Sequence, residues 1–527
     1  MAYERAAPRL TATAGRSRAW EAAALRLNSA VGAVIALTVV AALVRFASLG
    51  VQSYWGDEAL TVGEIRRSFD GMLGTVLGQE TTPPLYFMLA WGWAKVFGFG
   101  EEGLRSLSAL AGTAMVPLAY MAAARLFPAR VAVTTAALTA VNPFLIWYSQ
   151  EARAYAVYMT LAALSFLCFI AALQSHRARW VAAWGVSSGL VLTSHFFAVF
   201  LVGPEALWLL LAMRRHRAAL AVRVAAGGVV AAGCVLLPVA LADRSHGTTW
   251  IAHTPVVERI GRTAGEFAVG PLARWSWLGQ GLVMFAGLAA IALVALSLGR
   301  RGEQRRHAVL AGVIGGLVLA IPLTLALVGA DYVNSRNVAA AWLPLTIVIA
   351  AGLASPRRAG ALGAATLCAF SLAVTLIVGT RSDLQRPDWR AVAADIGATT
   401  SLRAVVADTS GAEPLRLYLP GVIRRAAASR IVVHEIVLVR HIPSAGRNVG
   451  CRRFSCIPTA PPAWLTSPAN AVRLRVAHPR VGDYAVARWS LRHPGPMTPR
   501  RVRLAYVHDL DPHAPRRVLV VLQDPRA

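Results

Sequence analysis

Apolar runs of about 20 residues, the length that crosses a hydrocarbon core, recur along this chain and leave it few possible folds. Backbone amides in lipid must bond within their own segment, so such runs resolve as helices. They fall near 28–50, 106–125, 131–148, 155–173, 180–193, 196–213, 219–241, 277–299, 308–329, 338–354 and 360–380. The expectation is a polytopic α-helical membrane protein with about eleven transmembrane helices. With 56% hydrophobic and only 15% charged residues over 527 positions, the chain is more apolar than a soluble fold of that size requires.

The formal charge of +27 comes almost wholly from arginine, Lys95 being the sole lysine. The arginines form short clusters between apolar runs rather than one basic and aromatic patch, so nucleic acid is not an expected partner. Counting spans puts the connections Arg125 to Arg130, His176 to Arg179, Arg214 to Arg217, Arg300 to Arg306 and Arg357-Arg358 all on one side. By the positive-inside rule that side is cytoplasmic, where anionic membrane lipids also attract them. The expected arrangement is a multi-pass plasma-membrane protein, with a cytoplasmic tail over 1–27, a membrane domain over 28–380 and residues 381–527 outside. The first span lacks a small-residue cleavage site and follows an Arg-rich start, so it reads as a retained anchor. Charge parity holds only if 51–105 stays outside as one long first loop, with Ala59–Leu77 and Pro84–Phe99 as interfacial helices. A crossing at 84–99 would instead move Arg125 and every later cluster outside.

After Thr380 the composition shifts to Arg, Asp and Pro with short β-branched runs, such as 403–408 and 518–522, between Pro and Gly signals. This reads as a C-terminal soluble α/β domain whose strand order is not legible. Cys168, Cys234 and Cys368 lie in apolar runs as packing residues. Cys451 and Cys456, separated by four residues in the outward segment, are a disulfide candidate in an oxidising compartment.

Two clusters of ionisable groups follow apolar runs: Trp55-Gly56-Asp57-Glu58 and Tyr148-Ser149-Gln150-Glu151-Ala152-Arg153-Ala154-Tyr155. Such groups at helix ends are costly to desolvate, and two at one membrane face point to one active site. Together with Thr82-Pro83-Pro84-Leu85-Tyr86-Phe87, Leu104-Arg105-Ser106-Leu107 and Asn142-Pro143-Phe144, these blocks resemble bacterial integral-membrane glycosyltransferases. Those enzymes are similar to the dolichyl-phosphate-mannose protein mannosyltransferases and the lipid A aminoarabinose transferase, of the membrane C-type glycosyltransferase fold. Thr193-Ser194-His195-Phe196-Phe197 and Asn334-Ser335-Arg336-Asn337 extend the likeness to about residue 355. Thr82 departs from it, since relatives often carry His or another polar residue before the Pro pair. Gln385-Arg386-Pro387-Asp388-Trp389-Arg390 looks like the segment that often follows the last span.

The resemblance implies inverting transfer of a sugar from a polyprenyl-phosphate carrier to a protein, lipid or glycan acceptor on the outer face. An attacking hydroxyl needs a carboxylate to take its proton, and the departing phosphate needs fixed positive charge. Asp57 is the natural base, with Glu58 beside it as the other catalytic candidate; the plainer alternative is that the pair caps a helix. Arg105, Arg153 and Arg336 are candidate phosphate ligands, although the first two could snorkel or pair with Glu101, Glu102 or Glu151. Glu151 could hold Arg153 or contact the sugar. Glu80 and His195 complete the substrate-binding candidates. No His, Cys, Asp and Glu spacing forms a metal site, and no Gly-rich loop precedes a helix to hold a nucleotide. Neither metal nor cofactor is therefore expected. The competing classes are an oligosaccharide ligase or polymerase using a lipid-diphosphate donor and a transporter of lipid-linked substrate. A transporter would place its charges near the midplane.

Overall fold

Each expected span coincides with helix in the computed structural model, which describes residues 29–80, 82–242, 251, 254–274, 277–354, 357–423, 431–441, 471–477, 484–497 and 518–525. Six helices among the described residues are long and apolar enough to cross a membrane. They are α1 (Ser29–Phe46), α5 (Glu101–Leu126), α8 (Tyr155–Ser175), α11 (Ala219–Ala242), α14 (Gly302–Leu327) and α16 (Arg357–Thr380). A seventh appears if α6 (Ala129–Val141) and α7 (Pro143–Ser149), bent by 53°, form one span. The expected eleven exceeds this number. Helices α9 (Ala178–Ser194), α10 (Val199–Ala212) and α15 (Trp342–Leu353) have 17, 14 and 12 residues, short of the roughly 20 of a full crossing. In α13 (Trp277–Leu298), the qualifying apolar stretch is Ala289–Leu298.

The bend between α6 and α7 has a local cause. Pro143 has no N–H, so the Thr139 carbonyl loses its helical donor. Asn142 restarts the helix by accepting the Leu145 N–H at 3.1 Å. Arg45 of α1, fully buried, supplies the missing donors: it reaches Thr139 O at 3.1 Å, Ala140 O at 2.7 Å and the Ser149 hydroxyl at 3.2 Å. Gly112 of α5 leaves room for this junction, since a Cβ there would lie 2.0 Å from Ser149 Oγ. The bend sets the direction in which α7 delivers the Glu151–Arg153 turn.

Large side chains such as Phe166, Trp184, Leu201, Ile314 and Trp342 fill the bundle centre. Leu43, Val235 and Leu362 are exposed on α1, α11 and α16, as lipid-facing helices require.

In the 51–105 loop the expected single helix over 59–77 is two, α2 (Gly56–Ile65) and α3 (Phe69–Gln79). Ser68 separates them by accepting the Gly71 N–H at 3.3 Å, an N-cap that restarts the helix. α4 (Leu85–Phe97) has 13 residues, too few for a crossing. Val62, Ile65, Met72, Val76 and Phe87 give these three helices a core of their own.

Beyond α16, six strands form one sheet in the order β2-β6-β1-β3-β5-β4. They are β1 (Arg403–Asp408), β2 (Val422–Ile423), β3 (Ile431–His441), β4 (Ala471–Ala477), β5 (Tyr484–Met497) and β6 (Val518–Gln523). β1 runs parallel to β3, and the other pairs are antiparallel. Trp389, Val392 and Ile396 of α17 (Trp389–Ile396) and Leu415 of α18 (Thr409–Tyr418) pack with Val405, Val437 and Val521. Leu417 and Tyr418 at the end of α18 lie against the core of α2–α4, which brings this part of the chain to the 51–105 loop. Cys451 and Cys456 lie outside the described residues.

Candidate active site

Adjacent in sequence, Asp57 and Glu58 occupy different environments. Glu58, fully buried at the third position of α2, accepts Arg105 Nε at 2.7 Å and Nη2 at 2.6 Å, the Ala152 N–H at 2.7 Å and the Trp55 N–H at 3.4 Å. Burial opposes its ionisation, but Arg105 outweighs burial and holds the carboxyl below the ordinary glutamate range. The rest of the Arg105 fork donates to the carbonyls of Leu49, Gln52 and Ser53 at 2.6–3.0 Å. With every guanidinium nitrogen engaged and 1% of its surface exposed, Arg105 is not placed to meet a phosphate. This corrects the sequence expectation for Arg105, and Glu58 has no free oxygen for an acceptor proton.

Arg153 is also buried. It donates to Thr61 Oγ1 at 3.1 Å and Thr82 Oγ1 at 3.4 Å and pairs with Glu80 at 3.5 Å, not with Glu151. Glu80, expected to touch substrate, thus sits in a closed network with Arg153 and Glu64. Burial, reinforced by Glu80, pushes the Glu64 carboxyl up to about 9. His195 stacks on Tyr158 with ring centroids 4.4 Å apart, and burial pulls its imidazole down to about 3, so it is neutral.

Asp57 points elsewhere. Its side chain is one-third exposed and lies 3.5 Å from Arg336, whose guanidinium stands 5.6 Å from the centre of the Tyr155 ring. Arg336 in turn lines a cavity of about 340 Å³ bounded by Trp55, Trp147, Arg262, Glu151 and Arg386. Glu151 accepts Arg386 Nη2 at 3.0 Å through one oxygen, while the other, Oε1, is buried without a hydrogen bond. Burial, with help from Glu58 and Asp57, outweighs Arg386 and raises the Glu151 carboxyl. Arg386 stands 4.0 Å from the centre of the Trp147 ring. Two aromatic faces, three guanidiniums and a carboxyl are the groups that recognise a sugar attached to a phosphate. No group of three or more His, Cys, Asp or Glu side chains suited to a metal occurs among the described residues.

Residues 81–241 match the sequence model of the family described as dolichyl-phosphate-mannose-protein mannosyltransferase. The chain is similar to these membrane glycosyltransferases. No curated protein matches its sequence. Among solved structures, the S. cerevisiae protein O-mannosyltransferase Pmt1-Pmt2 complex bound to the sugar donor is 22% identical with a TM-score of 0.32, covering 41% of this chain and 32% of that one. The archaeal oligosaccharyltransferase AglB from Archaeoglobus fulgidus, in complex with an inhibitory peptide and a dolichol-phosphate, is 11% identical with a TM-score of 0.41, covering 67% and 54%. ArnT from Cupriavidus metallidurans bound to undecaprenyl phosphate is 16% identical with a TM-score of 0.40, covering 87% and 98%. The chain thus spans less than two thirds of the yeast and archaeal chains.

Of the groups expected from sequence in this glycosyltransferase-like chain, the fold gathers Asp57, Glu151 and Arg336 at or beside the cavity. It places Glu58, Glu80, Arg105, Arg153 and His195 in the buried shell around it. Sequence reasoning misses Arg262 and Arg386 as site residues, and it reads Trp55 and Trp147 as part of an interfacial aromatic belt of which one or two members could stack on a sugar. The signal that bears on Arg386 is the Gln385–Arg390 block, whose likeness to the segment after the last span assigns it no role, and Arg262 has none.

Proposed function

We propose that the protein transfers a sugar from a polyprenyl-phosphate donor to an acceptor hydroxyl at the outer face of the plasma membrane, by an inverting displacement. The observation that carries this is a pair of adjoining cavities. An apolar one of about 560 Å³, lined by Leu138, Phe267, Leu293, Leu319, Trp342 and Phe370, shares Thr263 with the polar cavity of Arg262, Arg336 and Arg386. A lipid phosphate needs this sequence of surfaces: hydrocarbon walls for the chain, guanidiniums for the headgroup. Arg336 and Arg386 meet the phosphate as its charge grows, Trp55 and Trp147 flank the sugar, and Asp57 takes the proton of the attacking hydroxyl. The bond that forms joins acceptor oxygen to the anomeric carbon. The bond that breaks joins that carbon to the phosphate oxygen, which leaves with the electron pair.

The Glu58–Arg105 clamp and the Arg153–Glu80 network hold the turn that carries Asp57. A lipid-linked-substrate transporter is disfavoured because the charged cavity lies where α7, α12 (Val256–Val269) and the segment after α16 meet, at helix ends. The test is transfer in nanodiscs from a panel of polyprenyl-phosphate mannose, arabinose and galacturonic acid, combined with mass spectrometry of envelope glycans with and without the gene. Transfer from one panel member and loss of the matching mass increment are expected. Transfer from none of them, with unchanged glycans, removes the proposal; transfer only from a lipid-diphosphate oligosaccharide favours the ligase.

A further inference from the structure

The connection that leads from α1 into α2 is held by two arginines from opposite parts of the chain. Arg105 of α5 takes the carbonyls of Leu49, Gln52 and Ser53, and Arg390 of α17 takes those of Gly50 and Val51 at 2.9 and 2.8 Å. The Ser53 hydroxyl donates to Pro387 O at 3.1 Å and accepts the Trp389 N–H at 2.8 Å. The Tyr54 N–H donates to the Tyr418 hydroxyl at 2.7 Å, and that hydroxyl donates to Glu101 at 2.6 Å. Five consecutive carbonyls and the next amide are therefore partnered three residues before Asp57, and half of the partners come from beyond the last membrane helix. Within 49–55 the buried apolar side chains are Leu49 and Tyr54, so the course of the backbone between these two anchors is set by whatever holds its polar groups.

Building on the proposed role of Asp57, we infer that Tyr418 and Arg390 are positioning residues, by which the C-terminal α/β part fixes the stretch 49–55 and with it the place of the Asp57 carboxylate. Neither side chain lines the polar cavity, so their effect falls on the attack step and not on donor binding. A displacement of about 1 Å in a reacting group costs up to about a hundredfold in rate.

The test uses the full chain in nanodiscs with Tyr418→Phe, which removes one hydroxyl, and Arg390→Ala as a second variant if the first does not fold. Hydrogen exchange is followed on the peptide 48–58, together with undecaprenyl-phosphate binding and single-turnover transfer from the panel sugar that the wild type uses. The expected result is faster exchange confined to that peptide, unchanged undecaprenyl-phosphate affinity, and turnover about tenfold lower. In an Asp57→Asn background Tyr418→Phe should cause no further loss, since it acts through that carboxylate. Wild-type protection of 48–58 in both variants overturns the inference. So does an equal loss of turnover with and without Asp57. Wild-type turnover in Asp57→Asn alone, with altered exchange in Tyr418→Phe, overturns instead the proposed base and leaves the clamp standing.

Discussion

At the scale of single residues, two neighbouring carboxylates separate by the company each keeps. Asp57→Asn should leave undecaprenyl-phosphate binding intact and lower turnover by about a hundredfold, the worth of a lost general base. Glu58→Gln should instead lower stability by about 3–5 kcal/mol, because it leaves Arg105 buried without its counter-charge; thermal unfolding in detergent separates the two outcomes. Glu64 offers a pH test. Burial, reinforced by Glu80, holds its carboxyl up to about 9 in the fold, against about 4.3 for a free glutamate. Between those values the folded state holds a proton that the unfolded state has released, so the wild type loses stability as pH rises through the window. Glu64→Gln does not titrate, and its melting temperature should gain on the wild type between about pH 5 and 8. A constant difference over that range would show that the Glu64 proton is not retained on folding.

At the scale of elements, the broken helix α6–α7 shows how sequence and packing divide the work. Asn142-Pro143 announces a break, since Pro removes a donor and Asn caps the helix that restarts after it. The compensation the break needs comes from Arg45, about a hundred residues away in sequence, and no local pattern points to it. Arg45→Met keeps bulk and removes the donors. Each carbonyl then left unpaired at Thr139 and Ala140 should cost about 1–3 kcal/mol in thermal unfolding, and a wild-type melting temperature would mean that other donors take over. The sheet divides in the same way. The strands at 403–408 and 518–522 are visible as β-branched runs, but their antiparallel pairing depends on contacts across the chain, with Arg403 opposite Gln523 and Asp408 opposite Val518.

At the scale of the whole molecule, the charge parity of the Arg clusters makes a prediction independent of any side-chain contact. A reporter fused after Ala527 or inserted near Ser245 should be extracytoplasmic, and one at Gly302 cytoplasmic. An active cytoplasmic reporter at the C-terminus would place the Asp57 cavity on the wrong side for a lipid-linked sugar at the outer face.

The sequence alone determined that residues 28–380 are helical and built for lipid, because apolar runs of that length pair their backbone groups within their own helix. It also brought forward the blocks around Asp57, Glu151 and Arg336, since charged residues beside such runs stand out. Only the tertiary structure decided which charged residues face the cavity and which close on one another. Arg105 and Arg336 look alike in sequence, each an arginine beside an apolar run. One meets Glu58 and three carbonyls in the buried shell, and the other stands between Asp57 and an open cavity. Arg105 finds Glu58 47 positions away and Arg336 finds Asp57 farther still, and the local pattern carries no record of such pairings.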